Sequence, residues 1–526
     1  MRYGVHRHLG GFFLVPIMAC LLLSVLGGCS GLAPIRGASV SVHLTDTDDT
    51  RLGRAVAQAK QGQNNPSGVY PLSEPHAAYA ARVLLMREAD RSLDIQYYIW
   101  HADTTGYLLL AEVWRAAQRG VRVRLLLDDN GIAGLDPELA ALDSHPNIEV
   151  RLFNPFVQRQ FKFLGYLTDF SRLNRRMHNK SLTADSQATI VGGRNVGDVY
   201  FGAHPQMVFA DLDMLAVGAV AGEVASAFDA YWNSPLAYPA ASVVADVAPG
   251  ASQQLEEKFA SVQASAQARD FHEAVGRELS MAHQLTQAPR LEWVPVQLVV
   301  DPPSKTLQSE DVSTFLPEQI ARALGQPRQT LDLVSPYFVP GKSGSAQLAQ
   351  LAATGVKLRV VTNSLASNDV SAVHSGYAKH RLTLLHSGAS LYELKPDAQA
   401  APTRHPWSLS TLTGSSRSSL HSKTIAIDKQ RVFVGSFNLD PRSAWLNTEM
   451  GLVIHSHKLA AAVSDGLDAH LAASAYRLDL ADDGRSIQWL EQSSLGPVRY
   501  LTEPKAGFMR RLLVNLMSLL PIDWLL

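Results

Sequence analysis

The chain has 526 residues, 46% of them hydrophobic, with 47 Lys and Arg against 48 Asp and Glu for a formal net charge of −1. That length and apolar content suffice for two domains or one large two-lobed body, and without a basic surplus nucleic acid is disfavoured as a partner, a local basic cleft aside. Only two cysteines exist, Cys20 and Cys29, so neither a structural disulfide nor a Cys-based metal site is expected.

In chain order, residues 1–28 read as a signal peptide. Arg2 and Arg7 precede an apolar run from Phe12 to Leu26, about 15 residues where a bilayer span needs roughly 20. Leu26-Gly27-Gly28-Cys29 resembles the lipobox of bacterial lipoproteins, which implies cleavage and acylation of Cys29. Loss of residues 1–28 removes two arginines and no acids, leaving a mature charge of −3. Residues 29–75, rich in Ser, Thr, Asp, Gln and Gly, show no sustained apolar period and are expected to be a flexible tether. Ser92–Trp100 reads as a strand, "GYLLLAEVWRAAQRG" as a helix and Val121–Asp129 as a second strand. Thr330–Phe338, "SAQLAQLAATG" and Val356–Ser364 repeat that order. Leu93-Asp94 matches Leu331-Asp332 at an offset of 238, Gly120-Val121 matches Gly355-Val356 at 235, and His178 matches His421 at 243. Offsets this constant predict a duplicated α/β half of roughly 240 residues. The expected halves are 76–285, closing on a polar helical bridge, and 286–475. A tail over 476–526 ends in "GFMRRLLVNLMSLLPIDWLL", either a membrane-interface segment or a terminal helix buried in the body.

Met177–Asn195 and Leu420–Asn438 carry one skeleton twice. His178 and Lys180, two apart, share one face of a strand, as do His421 and Lys423. Asp185-Ser186 and Asp428-Lys429 supply turn chemistry, so each hairpin brings Gly193 and Asn195, or Ser436 and Asn438, beside its histidine and lysine. Lysine ammonium and asparagine amide groups are donors for phosphate oxygens, and a histidine can act as nucleophile or as acid and base. One copy makes half a site. Two copies facing each other offer an imidazole to attack phosphorus, a second to protonate the leaving oxygen, and two lysines to stabilise the anion without a metal.

The two skeletons match the paired HxKxxxxD motif of the phospholipase D superfamily, with chance recurrence on the order of 10⁻⁷ per start position for each copy. "LDIQYYIWHADTTGYLLL", "GVRVRLLLDDNG", "GGRNVGDVYFGAH" and "FMRRLLVNLMSLLP" are similar to the cardiolipin synthase C-like branch. The resemblance implies two pseudo-twofold-related α/β halves, each a mixed sheet flanked by helices, with the active site at their interface. It implies a catalytic set of His178, Lys180, Asp185, His421, Lys423 and Asp428, with His178 forming a phosphohistidine and His421 as general acid. Asp185 and Asp428 fall at the turns, where a structural role is the expectation. Asn195, Asn438, Gly193 and Ser436 are the expected phosphate-binding positions. Glu449 matches the family's acid behind a catalytic histidine; Asp211 aligns with it, Asp213 is the alternative, and service within or across the halves is left open.

No cofactor and no metal are expected. Gly341-Lys342-Ser343 lacks the earlier glycine of a phosphate loop, since Pro336 stands there, and His455-Ser456-His457 has no third ligand type nearby. Tyr97, Tyr98 and Trp100 read as strand packing, and Thr362–Arg381, with His374, Tyr377 and Arg381, as candidate head-group contacts. The implied reaction is transphosphatidylation of phosphatidylglycerol onto a second phospholipid, phosphatidylglycerol or phosphatidylethanolamine. Hydrolysis to phosphatidic acid is the rival, and a nuclease of the same superfamily is opposed by the mature charge. The implied setting is a periplasm-facing lipoprotein on the inner or outer membrane of a Gram-negative-type envelope, with room for a helper protein.

Overall fold

The computed structural model describes residues 35, 38–159, 161–287, 291–308, 311–396, 418–493 and 496–526. The expected signal peptide and Cys29 lie outside them. The first half supplies β1 (Ser67–Leu72), β2 (Ser92–Ile99), β3 (Arg122–Gly131), β4 (Ile148–Phe153), β5 (Ser181–Ala184), β6 (Ala188–Gly192), β7 (Val208–Ala210), β8 (Asp213–Gly218), β9 (Ala237–Pro239) and β10 (Glu292–Trp293). The second supplies β11 (Val296–Val300), β12 (Thr330–Val334), β13 (Lys357–Asn363), β14 (Ser390–Leu394), β15 (Ser418–Leu420), β16 (Thr424–Ile427), β17 (Arg431–Gly435), β18 (Met450–Ile454), β19 (Ala475–Leu480), β20 (Ile487–Ser493) and β21 (Gly496–Tyr500).

The sheet orders are β10-β1-β8-β6-β5-β2-β3-β4-β9 and β11-β18-β17-β16-β12-β13-β14-β19-β20-β21. Their centres are equivalent. In each, three parallel strands with helical crossovers abut an antiparallel hairpin, β5–β6 or β16–β17. This is the expected pair of mixed sheets. Helices Thr104–Gln118 and Gly341–Ala353 are the first crossovers, and both stop before a glycine held left-handed, Gly120 at φ 95° and Gly355 at φ 94°. Nothing crowds either glycine, so backbone conformation alone explains its recurrence.

The sheets pack together. One apolar cluster runs from Ile190, Met214 and Ala216 of the first half to Val434, Leu452 and Ile454 of the second, so the halves share a core, beside a further cluster confined to the second half around Leu316, Leu333 and Phe433. The halves also exchange backbone: β15 lies parallel to β7, and Met177 bridges Thr448.

Three expected boundaries change. The stretch 29–75 is not a tether over its described part. Arg51–Ala59 is a helix, β1 is buried at all six positions between β8 and β10, and Arg151 and Arg124 hold the carbonyls of Ser39 and Ser41. Gly68 and Pro71 break the apolar pattern of β1, and flanking strands hold it in place of intrinsic propensity. The first half runs past 285, because β10 pairs with β1. Its polar bridge lies on the first half, with Phe271 edge-on to Tyr79 at 4.9 Å. The second half runs past 475, because β19–β21 extend its sheet. In the tail helix Phe508–Ser518 only Val514 is buried, so the body does not enclose it. Among the described residues, no helix is long and apolar enough to cross a membrane.

Candidate active site

Each repeated skeleton folds as a hairpin with two left-handed residues at its tip, Asp185 and Ser186 (φ 50° and 54°) or Asp428 and Lys429 (φ 54° and 52°). Gln187 N donates to Ala184 O and Gln430 N to Ile427 O, closing turns of the I′ kind that suit strand twist. The motif aspartates then reach away from the histidines. Asp185 accepts from the amides of Asp90, Arg91 and Ser92 at 2.8–2.9 Å, and Asp428 from those of Arg328, Gln329 and Thr330. Both therefore pin a hairpin to the start of β2 or β12, and the geometry removes them from the catalytic set.

The two histidines meet at the exchanged backbone. His178 N donates to Thr448 O (2.9 Å), while His421 N donates to Ala210 O (2.8 Å). Each imidazole consequently faces a carboxylate of the other half. His178 Nδ1 lies 2.8 Å from Glu449 Oε2, and His421 Nδ1 lies 2.6 Å from Asp211 Oδ2. The alternative Asp213 is spent elsewhere, paired with buried Arg82 (2.9 Å) and Arg194 (3.3 Å). With Nδ1 held by a carboxylate in both dyads, Nε2 is the ring nitrogen left for chemistry. Lys180 Nζ donates to His178 O (2.6 Å), and Lys423 Nζ donates to His421 O and stands 3.2 Å from His421 Nδ1.

Burial pushes both imidazoles toward the neutral form, with the nearby lysines adding to the effect: His178 lies well below its ordinary value and His421 falls to about 4. Burial also lowers Lys423 and brings Lys180 down to about 7 against the pull of Glu449. The carboxylates diverge. Burial raises Glu449 to about 7, whereas at Asp211 it is outweighed by His421, Lys423 and Arg194, which hold that group below the usual carboxylate range.

The expected phosphate-binding positions fare unequally. Ser436 donates its hydroxyl to Glu449 Oε2 and accepts from Met450 N, so it supports the carboxylate. Gly193 fills the same place behind Asp211, where an added Cβ would stand 2.2 Å from Asp211 Oδ1. Asn195 is committed as well, accepting from Ile99 N (3.2 Å) and donating to Tyr200 Oη (3.0 Å), whose ring stands edge-on to His421 at 5.3 Å. Asn438 is buried, and its Oδ1 meets no donor among the described residues. The head-group candidates His374, Tyr377 and Arg381 are buried instead in a polar cluster, with Glu503 accepting from Arg381 (2.7 Å) and lying 2.9 Å from His374.

Several site residues carried no recognised signal in the sequence. Asp128, at the end of β3, accepts from Met177 N (2.9 Å) and grips Arg176 (2.6 Å); Asn363, at the end of β13, accepts from Leu420 N and donates to Leu420 O, both 3.0 Å. Both hold the residue just ahead of a histidine, and both sit at the carboxyl end of a parallel strand, where α/β sites gather. Asp301, paired with Lys305 (2.8 Å), accepts from Glu449 N at 2.9 Å. Tyr97 and Trp100 pack in the core as expected, but Tyr98, on the opposite strand face, stands edge-on to His178 at 4.9 Å. Among the described residues, no three His, Cys, Asp or Glu side chains group as metal ligands.

The family described as "Cardiolipin synthase, PLD-like domain" matches residues 83–232 and 320–471, once in each half. The chain belongs to that family. Its relatives in the cardiolipin synthase, PLD-like family include cardiolipin synthase C of Escherichia coli (strain K12), 44% identical over 476 residues that cover 90% of this chain and 100% of that one. An uncharacterized protein of Helicobacter pylori (strain ATCC 700392 / 26695) is 30% identical over 94% of this chain and 96% of its own. The phosphatidylserine synthase of Haemophilus influenzae Rd KW20 shares the fold at a TM-score of 0.57 with 15% identity, over 90% of this chain and all of that one.

Proposed function

We propose that this protein is a cardiolipin synthase that transfers a phosphatidyl group from phosphatidylglycerol to an alcohol on a second phospholipid. The observation that carries the reading is the crossed pair of dyads, two imidazoles each oriented through Nδ1 with two lysines beside them. His178 Nε2 forms a bond to phosphorus as the bond to the glycerol oxygen breaks, and His421 gives its proton to that oxygen. The acceptor hydroxyl then attacks phosphorus, passes its proton to His421 and breaks the P–N bond. Burial keeps His178 neutral, as a nucleophile requires, while ionised Asp211 pulls His421 toward its imidazolium, and the negative charge of a seated phosphodiester adds to that pull on an imidazole that is otherwise neutral. Lys180, Lys423 and Asn438 hold the phosphate. An acylated Cys29 confines the enzyme to the periplasmic side of a membrane, alongside both lipids, and raises their effective concentration over water.

Purified protein in mixed micelles with phosphatidylglycerol, with and without phosphatidylethanolamine, tests this by mass spectrometry of the products. Cardiolipin is expected from the wild type and is lost in His178→Ala and in His421→Ala. Phosphatidic acid as the sole product would establish hydrolysis instead.

A further inference from the structure

The two histidines sit in equivalent hairpins, but the residues at the two ends of the site differ in charge. At the His178 end, Tyr98 lies at the carboxyl end of β2. Its Oη accepts from Asn130 Nδ2 (3.1 Å), a neutral amide at the end of β3, and its ring stands edge-on to the imidazole at 4.9 Å. The second half repeats the arrangement with one change. Tyr337, just beyond β12, donates its hydroxyl to the carboxylate of Asp369 (2.9 Å to either oxygen), in the segment that follows β13. Burial and that carboxylate hold the Tyr337 phenol well above its ordinary value, so it keeps the proton it donates.

Contacts from two directions place this pair at the His421 end. Leu439 N donates to Ser335 Oγ (3.2 Å) and Val339 N to Leu439 O (2.7 Å), which sets the Tyr337 segment against the residue after Asn438. Ser419 Oγ donates to Ser367 O (3.0 Å), which brings the loop carrying Asp369 beside the strand that leads into His421. Asp369 is accordingly near enough to act on Lys423 and on Tyr200, whose ring stands edge-on to His421 at 5.3 Å. Asp440, which also acts on Lys423, is buried and accepts from Ser443 N (2.7 Å) at the start of a helix. Asp369 is exposed, and among the described residues no lysine, arginine or histidine pairs with it. A carboxylate oxygen accepts two hydrogen bonds, so beyond the Tyr337 hydroxyl this one has room for a donor from a ligand.

We infer that Asp369, held by Tyr337, is a specificity-determining residue that reads the head group: it accepts a hydrogen bond from a hydroxyl or ammonium of the alcohol seated on the His421 side. The inference rests on the proposed function, which puts the leaving oxygen and then the acceptor hydroxyl beside His421, opposite the attacking His178. The departing glycerol and the glycerol of an acceptor phosphatidylglycerol both carry a hydroxyl next to the reacting oxygen, so one subsite serves both half-reactions. Thr362–Arg381 thus reaches the head group through its one acid, and not through the buried His374, Tyr377 and Arg381.

The test is an internal competition with the full chain. Mixed micelles hold equal amounts of phosphatidylglycerol, phosphatidylethanolamine and phosphatidylmethanol, whose methyl head group has no second donor, and released glycerol, ethanolamine and methanol are quantified together. Because the ratios come from one tube, they do not depend on how much of a variant folds. Asp369→Asn is expected to lower the release of glycerol, of ethanolamine, or of both about tenfold relative to methanol. A fall for glycerol assigns a hydroxyl to the subsite, and a fall for ethanolamine an ammonium. Tyr337→Phe, which keeps the carboxylate but removes its anchor, should shift the same ratio about threefold, and it alone decides if Asp369→Asn is too unstable to assay. Unchanged ratios would overturn the inference even with total turnover reduced, since an equal loss on all three lipids marks an effect on Lys423 and not on the head group. A wild type that releases none of the three alcohols would overturn the proposed function and this inference with it, whereas unchanged ratios in an active enzyme overturn the inference alone.

Discussion

The glycine and serine behind the two dyads show how a difference of one methylene propagates. Asp211 is short, its carboxylate crowds the backbone of Gly193, and no side chain fits between; Glu449 is longer, and Ser436 both fits and donates to it. Gly193→Ala is therefore expected to displace Asp211 from His421 and lower kcat by about a hundredfold with little change in KM. Steady-state kinetics on a short-chain phosphatidylglycerol would check this. Protonation makes a second prediction at the same scale. Glu449, pushed up to about 7, loses its charge as the pH falls below that value, and His178 loses an anionic partner. Lys180, brought down to about 7, loses its charge as the pH rises above it. The value of kcat/KM should fall steeply above pH 7, where Lys180 loses its charge while protonated His421 grows scarcer, and Lys180→Met should make that alkaline limb shallower along with removing most activity. The histidines, lysines and asparagines were legible as single letters because they recur at fixed spacing. Asp128, Asn363 and Asp301 were not, since an isolated acid or amide at a strand end resembles any other until the backbone it holds is seen.

At the scale of elements, the hairpin is the unit that the motif specifies. Asp185 and Asp428 secure it by accepting three backbone amides each, a stabilising role that leaves chemistry untouched. Asp185→Ala is expected to cost about 1–3 kcal/mol of stability, read by urea denaturation, while turnover per folded molecule stays within about twofold. The repeated strand, helix and strand orders were readable because both obey the same periodicity and end their helices on matching glycines. β1 escaped that reading, its Gly68 and Pro71 being tolerated only because β8 and β10 supply the pairing. Similarly, His374, Tyr377 and Arg381 look like head-group contacts in one dimension, and only their burial, with Glu503 accepting from Arg381, shows that they brace the tail.

For the molecule as a whole, duplication was visible in the sequence but the exchange between copies was not, because a near-constant offset says nothing about which copy faces which. The structure joins residues 271 and 210 positions apart into the two dyads. Separately produced chains covering 1–294 and 295–526 should each be inactive and should recover activity when refolded together, as measured by cardiolipin formation; activity in either fragment alone would contradict the crossed arrangement. The crossing also has a meaning for the life of the chain before it is finished. A polypeptide emerging from synthesis holds His178 long before Glu449 exists beside it. Its chemistry stays silent in transit, and the first moment at which it can cut a lipid is the moment its last half has folded.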